Sequence, residues 1–130
     1  MKVLIVDDSV VMRIIVERVL RQAGVDLGEV LYAANGMEGL AALERGTASG
    51  APLNLILCDV QMPVMNGLDF LLEKQRRNLA PGVPVVMITA EGSDPHVLAA
   101  IAAGAQGYIS KPFTMQQMQR SVASLLPRAA

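Results

Sequence analysis

At 130 residues, with 52% hydrophobic and 18% charged residues, the chain is long enough for one domain with an ordinary core and too apolar for a disordered segment. A net charge of −1, with Arg76-Arg77 as the only adjacent basic pair, excludes an electrostatic case for nucleic acid or an anionic membrane. One cysteine excludes an internal disulfide and fits a reducing compartment, and no run approaches the ~20 apolar residues of a membrane span.

Residues 2–7 read as a first strand, cut short by Asp7-Asp8 before a leader peptide could form. Ser9 is placed to cap a helix in which Met12, Ile15, Val16, Val19, Leu20 and Ala23 share one face, and Gly24 is placed to stop it. Residues 29–33 are a second, more polar strand, suited to an edge. Asn35-Gly36 then turns the chain into a helix through Met37, Leu40, Ala41 and Leu43 that is expected to end at Gly46. Residues 47–52 read as a surface loop, and residues 54–58 as a third strand. A loop from Gln61 leads into a helix through Leu68, Leu71 and Leu72. A Pro/Gly loop precedes the fourth strand, which ends at Thr89; Asp94-Pro95 starts a fourth helix that Gly104 closes. Residues 107–110 are a fifth strand, and the last helix is expected to bury Met115, Met118, Val122 and Leu125 before Pro127. Alternating strands and helices of these lengths predict a doubly wound α/β fold, with most of the eight methionines on core-facing helical positions.

The ends of the apolar strands carry the chemistry. Val3 to Val6 run into Asp7-Asp8, Leu55 to Cys58 into Asp59, Val85 to Ile88 into Thr89, and Gly107 to Ser110 into Lys111-Pro112. In a parallel sheet these ends line one edge, where open α/β folds place their sites. Asp7, Asp8 and Asp59 together form an all-oxygen donor set whose mutual repulsion calls for a hard cation, best Mg²⁺. Beside such a cation an aspartate can accept a phosphoryl group; Asp59, alone at its strand end, is the candidate. Lys111 supplies a point charge for the phosphoryl oxygens and Thr89 a hydroxyl donor. Cys58 reads as a small core residue, with a redox role as the alternative. His96 reads as solvent-facing, and Met115 and Met118 as core residues that could alternatively serve a partner surface.

Asp7-Asp8-Ser9, Asp59, Met62-Pro63 with Met65-Asn66-Gly67, Thr89-Ala90 and Lys111-Pro112-Phe113, in that order and spacing, resemble the receiver domain of the two-component response regulators, the CheY-like family. The resemblance spans essentially the whole chain, as one receiver domain over residues 1–130 without an output domain. It implies a five-stranded parallel sheet in the order 2-1-3-4-5; with no targeting segment or membrane span visible, the sequence reads as that of a cytoplasmic protein. Asp59 would be phosphorylated by a sensor histidine kinase. Asp8 would bind Mg²⁺ (or Mn²⁺ as a substitute) directly, with Asp7, Asp59 and the main-chain carbonyl of Gln61 completing the protein ligands. Thr89, Ala90 and Lys111 would hold the phosphoryl group, and the Lys111–Pro112 bond would be cis. Tyr108 would swing inward as Thr89 moves, although it also reads as an ordinary strand tyrosine. The changed surface of the fourth helix, fifth strand and fifth helix would bind a partner, either a flagellar switch component or a histidine phosphotransfer protein in a phosphorelay. No nucleic acid or membrane insertion and no turnover of an external substrate are expected. Gln61 and Glu91 would set the dephosphorylation rate. An aspartate-nucleophile phosphatase of the haloacid-dehalogenase type is disfavoured, because Gln61 stands where it needs a general acid. A flavodoxin-like cofactor binder is disfavoured because Asp7-Asp8 would repel a phosphate.

Overall fold

The computed structural model describes residues 1–48, 52–90 and 95–125, less the side chains of residues 46–48, 96 and 97. The chain alternates β1 (Lys2–Val6), α1 (Val10–Gln22), β2 (Glu29–Ala33), α2 (Gly36–Ala48), β3 (Leu55–Asp59), α3 (Gly67–Arg76), β4 (Val85–Thr89), α4 (Pro95–Ala102), β5 (Gly107–Ser110) and α5 (Met115–Ala123). All strand pairs are parallel, in the order β2-β1-β3-β4-β5, so the polar β2 is an edge. Strands β1, β3 and β4 are buried throughout, as continuous apolar runs covered by helices on both faces must be.

The two-residue period of the strands divides the core. Leu4, Val6, Ile56, Cys58, Val85 and Met87 pack on one face with Leu40, Leu43, Phe70 and Leu71 from α2 and α3. Val3, Ile5, Leu55, Leu57, Val86, Ile88 and Ile109 pack on the other with Val16, Leu20, Met118 and Val122 from α1 and α5. Each large side chain removed from water in this way stabilises the fold by roughly 1.5–3 kcal/mol. The helix starts follow their caps. Ser9 accepts the Met12 N–H at 3.2 Å, Asn66 accepts that of Asp69 at 2.8 Å, and Thr114 forms a reciprocal capping box with Gln117. Gly24 and Gly104, at φ +93° and +110°, follow the ends of α1 and α4.

Helix phase departs from the sequence expectation in several places. Ile15 is 39% exposed, because one residue step of about 100° from the buried Val16 carries it to the border of the apolar arc. In α2, Met37 is exposed and Ala42 is buried, and the helix runs through Gly46 to Ala48. The cost of a helical glycine, about 1 kcal/mol, does not stop an element already docked on the sheet. In α3 the buried ring is Phe70, which sequence analysis passed over, while Leu72 is 46% exposed. In α5, Met118 and Val122 are buried, Met115 is 39% exposed, and Leu125 is half-buried beyond the helix. The fully buried methionines are Met87, on a strand, and Met118. The expected Asp94 cap, Glu91 and Pro127, and the exposure of the His96 side chain, lie outside the described residues.

Candidate functional site

The register places the strand ends together. Val6 pairs with Cys58, Asp59 with Ile88, and Thr89 with Ser110, so Asp7, Asp59, Thr89 and Lys111 emerge at one edge of the sheet. Asp7 and Asp59 continue the alternation of Val3-Ile5 and Leu55-Leu57 and therefore leave on the α1/α5 face. Cys58 takes the opposite face and is fully buried, and that burial pushes its thiol well above its ordinary pKa.

Asp7, Asp8 and Asp59 each bring a carboxylate oxygen to within 4.8 Å of the others. Asp7 is 1% and Asp59 6% exposed, whereas Asp8 is open to solvent. The Lys111 ammonium bridges the buried pair, donating to Asp7 Oδ2 at 3.4 Å and to Asp59 Oδ2 at 3.3 Å. Asp7 is held by the Ser9 N–H on its Oδ1 at 2.9 Å, and its main-chain carbonyl accepts from Arg13 Nη1 at 2.6 Å. The Gln61 N–H donates to the Asp59 carboxylate. Burial pushes the Asp59 carboxyl above the usual carboxylate range, and the charge of Asp7 adds to that; Lys111 and the Gln61 N–H only partly offset it. Three carboxylates, two of them buried, face one ammonium, so acidic groups are in excess. That surplus and the all-oxygen donor set fit Mg²⁺ in charge and in hardness.

The surrounding backbone fixes these groups. Thr89 is 2% exposed at the end of β4, and its carbonyl accepts the Lys111 N–H at 2.6 Å, tying the lysine to the neighbouring strand. The Lys111–Pro112 peptide is cis. Gly67 begins α3 against the end of β3. A Cβ there would lie 2.2 Å from the Asp59 carbonyl oxygen, so only glycine permits this approach. The Gly67 N–H donates to the Val60 carbonyl at 2.9 Å, closing the loop that follows Asp59. Within that loop Val64 is 81% exposed and sits at φ +68°, a left-handed conformation that a β-branched residue rarely adopts.

Of the residues singled out in the sequence, Asp7, Asp8, Asp59, Lys111 and the main chain of Gln61 therefore meet in one cluster, with Thr89 bonded to it through its carbonyl. Ala90 follows Thr89 and is exposed. Tyr108 stands 47% exposed on β5, opposite Met87, at the rim of a shallow cavity of about 270 Å³ that Gln117 and Arg120 also line. Sequence analysis missed Arg13, Ser9 as a ligand of Asp7, and the close approach of Gly67; an Asn-Gly pair eight residues after an acidic strand end was the available signal for the last.

The chain belongs to the response regulator receiver domain family, whose pattern residues 3–123 match. The Helicobacter pylori chemotaxis protein CheY1 is 36% identical over 126 residues, covering 97% of both chains. The crystallised Vibrio cholerae chemotaxis protein CheY4 is 35% identical, with a TM-score of 0.77 over 96% of this chain and 98% of that one. The receiver domain of a Pseudomonas aeruginosa sensor histidine kinase, 26% identical with a TM-score of 0.77 over 95% of this chain and 96% of its own, was solved with a magnesium ion coordinated in its active site cleft. The chain is thus a phosphorylation-dependent response-regulator switch of two-component signalling. Among the described residues, no helix is long and apolar enough to cross a membrane.

Proposed function

We propose that this protein is a chemotaxis-type response regulator that accepts a phosphoryl group on Asp59 from the phosphohistidine of a sensor histidine kinase. The observation that carries the reading is the convergence of Asp7, Asp8, Asp59 and Lys111, drawn from three strand ends up to 104 residues apart. Asp7, Asp8, Asp59 and the Gln61 carbonyl would hold Mg²⁺, which when bound offsets charge on the incoming phosphoryl oxygens. A carboxylate oxygen of Asp59 attacks phosphorus; the new O–P bond forms as the P–N bond to the donor imidazole breaks. Lys111, released from the carboxylates it now bridges, follows the charge onto the phosphoryl oxygens. Thr89 and the Ala90 main chain complete the phosphoryl cradle. The vacated space lets Tyr108 turn in from its exposed position, changing the surface of α4, β5 and α5. Gln61 and Glu91 govern access of water to the acyl phosphate.

The similarity to CheY1 and CheY4 supports output through a flagellar switch partner. A second reading, transfer of the phosphoryl group onward to a histidine phosphotransfer protein, is favoured by four exposed apolar side chains on α1, Val10, Val11, Ile14 and Ile15. They suit a helical partner beside Asp8. Both readings rest on Asp59. The test is incubation with a phosphorylated histidine kinase or beryllofluoride, with and without Mg²⁺. Mg²⁺-dependent labelling that Asp59→Asn abolishes is expected; labelling that persists in this variant would overturn the assignment. Capture of a phosphotransfer protein rather than a flagellar switch component would select the second reading.

A further inference from the structure

A second polar feature lies at the opposite end of the sheet. Lys74, on α3, is 7% exposed, and its aliphatic stem packs among core residues. Among the described residues no carboxylate, carbonyl or hydroxyl meets its ammonium, and burial alone pulls its pKa below the usual lysine value. Charged side chains this deeply buried are normally paired. Its neighbour Glu73 is engaged elsewhere, with Arg76 at 2.8 Å.

Lys74 lines a cavity of about 270 Å³ between the end of α3, the loop that follows it, the start of β4 and the turn before β5. No buried side-chain nitrogen among the described residues lacks a partner, so the unpaired ammonium keeps some accessible surface, and the Lys74 side chain lines this space. The walls are mixed: Leu71, Leu79, Val83 and Val85 give an apolar side, and Gln75, Asn78 and Gln106 stand with Lys74 on a polar one. Gln106 stands at the same cavity with its Oε1 accepting the Val85 N–H at 2.7 Å, which leaves its NH₂ as a donor. No acidic residue lines it. Gly104, at φ +110°, brings the turn so close that a Cβ would meet the Gln75 amide at 2.3 Å.

We infer that this cavity is a binding site for a small monocarboxylate with a short apolar body, its carboxylate held by Lys74 and the Gln106 amide and its hydrocarbon part by Leu71, Leu79 and Val83. One ammonium compensates one negative charge. A dianion such as phosphate would keep one charge unneutralised and would leave the apolar side formed by Leu71, Leu79 and Val83 without a partner. The site is separate from the phosphoryl chemistry: it touches the first residue of β4, whereas Thr89 is the last.

The test is titration of the full chain with sodium butyrate, with butanol and sodium phosphate at matched ionic strength as comparisons, followed by ¹H–¹⁵N correlation spectra and calorimetry. Butyrate is expected to move the amide signals of Val85, Gly104 and Gln106 saturably and to leave those of Asp8 and Lys111 in place. Lys74→Met keeps the stem's volume, and it should weaken butyrate by about tenfold or more while raising thermal stability. Equal binding of butanol, tighter binding of phosphate, shifts confined to the Asp59 end, or unchanged butyrate affinity in Lys74→Met would each overturn the proposal. So would the absence of saturable binding, which would mean that the ammonium is merely hydrated.

Discussion

Replacing Asp59 should make the metal-free protein more stable. Asp59 is 6% exposed, lies within 4.8 Å of a carboxylate oxygen of Asp7, and lies 3.3 Å from the Lys111 ammonium. At an effective dielectric of about 20 the Asp7 repulsion is roughly 3.5 kcal/mol, the Lys111 attraction roughly 5 kcal/mol, and the exposed Asp8 adds about 1 kcal/mol at the dielectric of water. These charge terms nearly cancel, leaving the extra cost of desolvating a carboxylate rather than a neutral amide, of at least about 1–3 kcal/mol, the range for a buried polar group. Asp59→Asn keeps an oxygen acceptor for Lys111 and sheds the charge. It should stabilise the metal-free protein by about 2 kcal/mol at neutral pH, roughly 6–8 °C in Tm for a domain of this size. The pH dependence has a definite sign. The Asp59 carboxyl is raised in the folded state from its ordinary 3.8, so its contribution to stability is fully present below that value and is lost as pH rises through the raised one. The gap between variant and wild type should therefore be widest at neutral pH and should close as pH falls towards 3.8. Urea unfolding in a chelating buffer measures it; added Mg²⁺ should narrow the gap by stabilising the wild type. A variant no more stable than wild type at neutral pH, or a gap independent of pH, would refute the electrostatic account of the site.

Lys111→Met removes the cation that competes for Asp7 and Asp59, so calorimetry should show Mg²⁺ binding about tenfold tighter, while transfer of the switch to its partner-binding form is lost. Val64→Asn relieves a β-branched residue at φ +68° and should raise the urea midpoint, by about 1 kcal/mol of stability, with the denaturant slope unchanged. Phe70→Ala should cost about 3–5 kcal/mol, because the ring is fully buried between α2 and the sheet, yet leave Mg²⁺ affinity of the folded fraction unchanged.

The sheet and its reactive edge were legible because strands buried on both faces write themselves as unbroken apolar runs, and the residue that ends each run is then conspicuous. The cluster of Asp7, Asp59 and Lys111 needed only the parallel order to assemble. Helix phase was harder to read. In α3 the sequence Phe70-Leu71-Leu72 is apolar around too much of the helix for period alone to choose the buried ring, and tertiary packing chose Phe70 over Leu72. Lys74 was hidden for the opposite reason: a lysine counts as polar in any pattern, although most of its side chain is hydrocarbon. The left-handed backbone at Val64 leaves no trace in composition, since a β-branched residue gives no sign of a positive φ.

The reach of Lys111 to Asp7 spans 104 positions of sequence, and Asp59 comes from between them on a third strand. No fragment and no half-assembled sheet can bring those three groups together, since each depends on a different strand taking its place in the parallel order. Long-range pairing of this kind forms late and slowly. The cluster is thus complete only once β1, β3, β4 and β5 have taken their places in the sheet. Displacing β1, β3 or β5 should therefore break the contacts among Asp7, Asp59 and Lys111 together.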